Sequence, residues 1–145
     1  MKFQKDSLGF LLADASRLYR RAFQRRLEGS SLTLAQARAL VHVARHECLR
    51  QVDLADLLEL QPMTLARLID QLVSAELVER RADPADRRAY RLFLRPAAAA
   101  HLAAIHDVAT TLEADVMQEL DEQQTAAVFH ALNKMRDSLV SRRGE

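Results

Sequence analysis

The chain reads as a mainly α-helical protein with a small β-wing. The expected architecture is a winged helix-turn-helix flanked by N- and C-terminal helices that form a dimerisation domain. Three observations predict it. A short apolar-periodic run, a turn and a longer periodic run opened by Pro62 occupy residues 52–73. Two short runs rich in branched and aromatic residues follow directly, separated by a charged turn. Long stripes of apolar residues at three- and four-residue spacing occupy both ends of the chain.

The central segment is the most informative. Val52-Asp53-Leu54-Ala55-Asp56-Leu57-Leu58 is the first helical run, and residues 62–73 form the second. Proline suits a first helical turn because its missing N–H would have no partner there, and Gln61 before it is a weak N-cap. Leu65, Leu68, Ile69 and Leu72 share one face of the second helix, while Met63, Thr64, Arg67, Gln71 and Ser74 occupy the opposite one. A short helix followed by a longer one with a polar, arginine-bearing face is the pattern whose second helix enters the DNA major groove. Leu77-Val78-Glu79-Arg80-Arg81 and Ala89-Tyr90-Arg91-Leu92-Phe93-Leu94 are strand-like, and Asp83-Pro84-Ala85-Asp86-Arg87-Arg88 joins them as a hairpin. Residues 80–95 hold six arginines against Asp83 and Asp86, a surplus of four in a chain of net charge +1. Such local concentration is what a phosphate-facing surface requires.

The flanking elements follow from the same periodicities. Leu8, Leu11, Ala15, Leu18 and Ala22 place a helix over residues 8–27, which Gly29 ends. Its other face carries Arg17, Arg20, Arg21, Arg25 and Arg26, expected to be a solvated face, the alternative being that some of them help attract an anionic ligand or DNA. Thr33 and Gln36 form a capping-box pattern at the start of the next helix, which ends near His46-Glu47. Cys48-Leu49-Arg50 is short enough to add a third strand to the wing. After the wing, Pro96 leads a helix with Leu102, Ile105, Ala109, Leu112 and Val116 in register. Asp121-Glu122-Gln123-Gln124 caps a last one bearing Val128, Leu132, Met135 and Leu139. Residues 1–30 and 96–145 are therefore the expected dimerisation region and residues 31–95 the DNA-binding region. A second copy using the terminal helices as its seam gives a two-fold homodimer. Residues 113–145 hold seven acidic and four basic residues, so the dimer end is expected to face away from DNA.

Composition narrows the class. At 145 residues, 49% hydrophobic and 28% charged, the chain suits one soluble domain or a compact pair of subdomains. Three glycines and three prolines leave little room for disordered linkers. No apolar run approaches the roughly 20 residues of a membrane span, and Met1-Lys2-Phe3-Gln4-Lys5-Asp6 has no signal-peptide pattern. A single cysteine excludes an internal disulfide and suits a reducing, cytoplasmic setting. His42 and His46 share a helix face at a spacing able to bind a metal, but no further ligand accompanies them, so neither metal nor cofactor is expected. There is no phosphate-binding glycine loop and no nucleophile elbow, which argues against an enzyme.

The string Leu77-Val78-Glu79-Arg80 … Asp83-Pro84-Ala85-Asp86-Arg87-Arg88, with this order of elements, resembles the MarR family of bacterial transcription regulators. Gln61-Pro62 with Arg67-Leu68-Ile69-Asp70-Gln71-Leu72 is similar to its SlyA-like branch. The resemblance implies a dimeric winged-helix DNA-binding protein, often a repressor released by small aromatic or phenolic ligands or by oxidation. By position it implies that Thr64 and Arg67 read bases, that Asp86 braces Arg88 across the wing, and that Arg87 lies at the wing tip near DNA. The chain departs from the family pattern where Glu59 and Glu76 replace glycines at helix ends, and where Leu94-Arg95 replaces Leu-Thr. The two turns are therefore expected to be slightly rebuilt.

The resulting expectation is a homodimeric, sequence-specific DNA-binding repressor relieved by a small ligand. Its partner is a pseudo-palindromic double-stranded operator with half-site centres about 34 Å apart. Gln61, Pro62, Met63, Thr64, Arg67 and Gln71 are the expected DNA contacts of the helix, and Arg80, Arg81, Arg87, Arg88 and Arg91 those of the wing. A ligand would sit between the wing domain and the dimer helices, with Arg17, His42 and Arg45 near it. Two alternatives are a winged-helix protein-interaction module and an oxidation-responsive regulator acting through Cys48.

Overall fold

A computed structural model of the chain describes residues 6–46 and 48–144. Its elements run α1 (Leu8–Leu27), α2 (Leu34–Arg45), α3 (Gln51–Leu58), α4 (Pro62–Ser74), β1 (Val78–Asp83), β2 (Asp86–Leu94), α5 (Ala98–Val116) and α6 (Glu122–Ser141), closed by a single 3-10 turn. The chain forms two compact units, one up to Ala109 and one from Thr110 onward. The division falls inside α5.

The first unit is built around α4. Its apolar stripe is buried as the spacing requires: Leu65, Leu68, Ile69 and Leu72 join Leu54, Ala55 and Leu58 of α3 in one core. Leu40 and Val43 of α2, Val78 of β1 and Leu92 of β2 close that core. Burying side chains of this size contributes roughly 1.5–3 kcal/mol each. A second, smaller cluster forms where Leu27 of α1 meets Ala37 of α2 and Ile105 of α5. The capping box of α2 is realised, with Gln36 N donating to Thr33 Oγ1 at 3.2 Å and Thr33 N to Gln36 Oε1 at 2.9 Å. Pro62 stands in the first turn of α4, but the Gln61 side chain makes no capping bond. Helix α2 ends at Arg45; Glu47, near which its end is expected from sequence, lies outside the described residues.

β1 and β2 pair antiparallel from Val78↔Leu94 to Ala82↔Tyr90. The expected third strand is reduced to one bridge, Arg50↔Arg91, beside a 2.8 Å bond from Leu92 N to Leu49 O. Branched and apolar character is confined to Leu49 in that tripeptide, too little to extend a ladder.

Both helix ends that lack the family's glycine keep its backbone. Glu59 (φ 54°) and Glu76 (φ 60°) are left-handed. Leu60 N bonds to Ala55 O and Glu59 N to Asp56 O; Leu77 N bonds to Leu72 O and Glu76 N to Val73 O. These are Schellman closures, and each is pinned by the leucine that follows, Leu60 packing on the core and Leu77 buried within it. The expected rebuilding does not occur, because moving either turn would withdraw a leucine from the core.

The second unit contains α6, whose capping box joins Gln124 N to Asp121 Oδ1 at 2.8 Å and Asp121 N to Gln124 Oε1 at 3.0 Å. No residue of α6 is buried; Leu132 is 45% and Leu139 66% exposed. Helix α1 buries only Leu27, and Leu8, Leu11 and Leu18 are each more than half exposed. The stripes are present, but a single chain does not cover them. No helix among the described residues is long and apolar enough to cross a membrane.

A left-handed residue with a Cβ is strained by about 1 kcal/mol relative to glycine. Glu59→Gly and Glu76→Gly are each expected to raise unfolding free energy by about that amount, read as a higher urea midpoint at unchanged slope.

Candidate nucleic-acid interface

Because the stripe on α4 faces the core, the opposite face must face out. Met63, Thr64, Arg67, Asp70 and Gln71 are all exposed, Met63 at 72%. Arg67 has neither an ion pair nor a side-chain hydrogen bond within the described residues, so its guanidinium is available. Thr64 stands one turn before it. Gln61 and Pro62 are exposed at the helix start. Gln71, by contrast, has a protein partner: its Oε1 accepts from Gln36 Nε2 at 3.0 Å. The residue that caps α2 therefore also touches the C-terminal half of α4.

The wing divides its arginines into two sets. The pairing register breaks between Ala82 and Asp83, where Asp83 faces Asp86 across Pro84-Ala85 and residues 87–89 have no cross-strand partner. Arg87 and Arg88 project from this irregular tip, exposed and with no ion pair among the described residues. The other three wing arginines expected at DNA are engaged within the protein. Arg80 donates to Gln51 Oε1 and to Ala66 O, both at 2.9 Å, and pairs with Asp70 at 2.6 Å. Arg81 donates to Glu79 Oε1 at 2.8 Å and stacks 4.0 Å over the Phe93 ring. Arg91 donates to Cys48 O at 2.8 Å and pairs with Asp83 Oδ2 at 3.3 Å. Residue type identifies the cations but carries no information on which has a neighbour in reach.

The brace is Asp83, not Asp86. Asp86 Oδ1 accepts from the backbone N of Arg88 at 3.0 Å, a local turn contact that leaves the Arg88 guanidinium unbound. Asp83 is 4% exposed, accepts from Ala85 N at 3.0 Å, and lies between Arg91 and Arg50, the latter 3.8 Å away. The Ala85 hydrogen bond, with the two arginines, holds its carboxyl below the ordinary value of 3.8 against the opposing effect of burial. An Asp before a Pro-containing turn is a familiar side-chain acceptor, and that signal points to Asp83.

A cavity of about 240 Å³ opens in the first unit among α1, α2 and α5. Tyr19, Phe23, Leu34, Val41 and Ile105 give it apolar walls, and Arg20, Arg38 and His42 its polar points. Of the three expected ligand residues only His42 lines it; Arg17 pairs with Asp14 at 3.3 Å, and Arg45 is absent from the lining. Arg20 and Arg38 stand there instead, since they share the helix faces of Phe23 and His42. His42 Nδ1 is buried and has no hydrogen-bond partner among the described residues. Burial, followed by the charges of His46, Arg38 and Arg45, lowers its pKa below 6.5. The His42 and His46 rings stack 6.0 Å apart and nearly parallel, and no cluster of three metal-ligating side chains occurs among the described residues. Cys48 is exposed at φ 54° and is the chain's single cysteine.

An exposed polar helix face beside an arginine-tipped hairpin, both fixed to one core, defines a winged-helix DNA-binding protein. Residues 32–90 match the model of the MarR family. The chain is 36% identical to the solved structure of transcriptional regulator PA3341, covering 93% of this chain and 99% of that one at a TM-score of 0.80. It is 28% identical to the HTH-type transcriptional repressor NicR of Pseudomonas putida, over 92% of this chain and 84% of that protein. A cysteine-to-serine mutant of MarR from E. coli, complexed with operator DNA, is 26% identical, with a TM-score of 0.73 over 88% of this chain and 92% of that one. The chain belongs to the MarR family, and it is a transcription regulator rather than an enzyme.

Asp83 keeps its charge advantage above the ordinary carboxylate pKa and loses it as pH falls through its lowered folded value. Amide-exchange protection at Ala85, whose backbone N donates to Asp83 Oδ1, is expected to persist down to that range and then fall with Asp83 protonation. Asp83→Ala should show fast exchange at every pH, whereas Asp86→Ala should quicken Arg88 alone.

Proposed function

We propose that the chain acts as a homodimeric, sequence-specific repressor. Each α4 would read half of a pseudo-palindromic operator, and a small aromatic or phenolic ligand would release it. The observation that carries this reading is the pairing of an unengaged Arg67, beside Thr64 and Met63, with an unengaged Arg87–Arg88 tip. Arginine forks onto guanine in the major groove and is worth roughly 1–3 kcal/mol of discrimination there. Arg87 and Arg88 supply sequence-independent backbone or minor-groove contacts. Gln61, Pro62 and Gln71 belong to the rim of the same surface. The operator complex of the E. coli relative supports DNA as the partner, and a chromosomal operator implies a cytoplasmic protein.

Two copies are supported by the uncovered stripes on α1 and α6, which offer a second chain the apolar surface that one chain leaves in water. On this reading residues 1–30 and 96–145 serve assembly and residues 31–95 serve DNA.

The α1–α2–α5 cavity is the ligand site we propose. Its volume suits a single aromatic ring, and Arg20, Arg38 and His42 suit an acidic substituent. Because α2 lines the cavity and reaches α4 through Gln36–Gln71, a ligand that shifts α2 would act on the recognition helix.

Arg67→Ala is expected to weaken binding to a duplex selected from a random pool by the wild-type protein by ten-fold or more, while binding to an unselected duplex changes little. Equal losses on both would remove Arg67 from base reading. Benzoate is expected to bind more tightly as pH falls from 7.5 toward 6, because a carboxylate beside His42 favours its imidazolium and binding takes up a proton. Calorimetry in buffers of different ionisation enthalpy reads that proton, and His42→Phe should abolish its uptake.

A further inference from the structure

Arg80 has the most extensive set of contacts of any wing arginine. Its strand, β1, lies behind the recognition helix, and its guanidinium faces three partners on two other elements. Nε donates to Gln51 Oε1 in the first turn of α3 at 2.9 Å. One terminal nitrogen donates to the Ala66 carbonyl inside α4 at 2.9 Å, and the other meets Asp70 Oδ1 one turn later at 2.6 Å. The Tyr90 ring of β2 lies 6.0 Å from the guanidinium carbon. The Arg80 side chain is 21% exposed.

We infer that Arg80 is a positioning residue. It fixes the rotation and slide of α4 against the wing and so sets operator discrimination, without contacting DNA. A planar fork joined at all three nitrogens specifies direction as well as distance, which a lysine ammonium does not reproduce. The contacts fall at Ala66 and Asp70, flanking Arg67, so the anchored turn is the one that presents Arg67. Core packing alone would let α4 rock about its apolar stripe, since dispersion contacts have little directionality. The fork removes that freedom.

The inference rests on the DNA-binding reading, and the experiment separates the two. Affinities of wild type, Arg80→Lys, Arg80→Gln and Asp70→Asn are measured against salt concentration on two duplexes. One is selected from a random pool by the wild-type protein and the other is unselected. Loss of all salt-dependent binding in the wild type would overturn the DNA-binding reading itself. Given that binding, a positioning role predicts that Arg80→Lys and Arg80→Gln each lose ten-fold or more on the selected duplex and less than three-fold on the unselected one. The slope of log affinity on log salt should stay at the wild-type value. A phosphate contact predicts instead that Arg80→Gln loses about one unit of slope and weakens both duplexes equally, with Arg80→Lys near wild type. Asp70→Asn keeps the cation and removes one anchor, so it tests the idea even where Arg80→Gln unfolds. Positioning predicts a loss on the selected duplex alone; tighter binding to both, from deleting a negative charge near DNA, would overturn it. No change in any variant would overturn it as well.

Discussion

Everything outward on this protein is determined by what α4 turns inward. Four side chains, Leu65, Leu68, Ile69 and Leu72, are almost wholly removed from water. Rotating the helix by one residue position, about 100°, would expose several of them at a cost of a few kcal/mol. That constraint leaves Thr64 and Arg67 no other direction than solvent. It also explains why the chain accepts two left-handed glutamates. Their strain of about 1 kcal/mol each is smaller than the loss from withdrawing Leu60 or Leu77, which those turns deliver to the same core.

The wing shows that charge counted along a sequence differs from charge available on a surface. Six arginines over residues 80–95 form one basic segment in sequence. Folded, three of them are engaged: Arg80 against α3 and α4, Arg81 against Glu79 and Phe93, Arg91 against Asp83 and the Cys48 carbonyl. The register break at Asp83 is what separates the sets. Before it, side chains lie over the paired ladder and find neighbours; beyond it, Arg87 and Arg88 have no strand opposite and extend into water. Engaged arginines still matter: Arg80 ties the hairpin to α3 and α4, while Arg81 and Arg91 hold partners within the wing and on the segment before α3.

What can be read from the sequence follows from the range of each interaction. Periodicity and caps act within a few residues, so the extents of α1 and α4, Pro62 in its first turn, and both capping boxes are readable without knowledge of the fold. Partners 14 or 29 positions apart, such as Ala66 and Gln51 for Arg80, are set by packing and leave no trace in local pattern. The brace falls on Asp83 rather than Asp86 for a related reason. The family resemblance points to a carboxylate near the tip, yet burial decides which of two aspartates is held, and the turn buries Asp83. The cavity is foreseeable in kind but not in lining. Arg20 belongs to the α1 face that periodicity marks as solvated and stays exposed, yet the meeting of α1 with α2 and α5 puts it and Arg38 on the cavity lining.

The same contrast bears on how a ligand signal could reach DNA. Gln36 holds the first turn of α2 closed through Thr33 and, with its remaining amide group, holds Gln71 of α4. One side chain thus ties the start of a cavity-lining helix to the recognition helix. Such a tie transmits displacement efficiently because a hydrogen bond near 3.0 Å weakens steeply once stretched or bent. A shift of α2 large enough to outrun the two glutamine side chains would either draw on α4 or break the bond. Where Arg80 makes α4 rigid against the wing, Gln36 couples it to the cavity. A recognition helix under both restraints is held from the wing on one side and from α2 on the other, with Arg67 in the turn that Arg80 anchors.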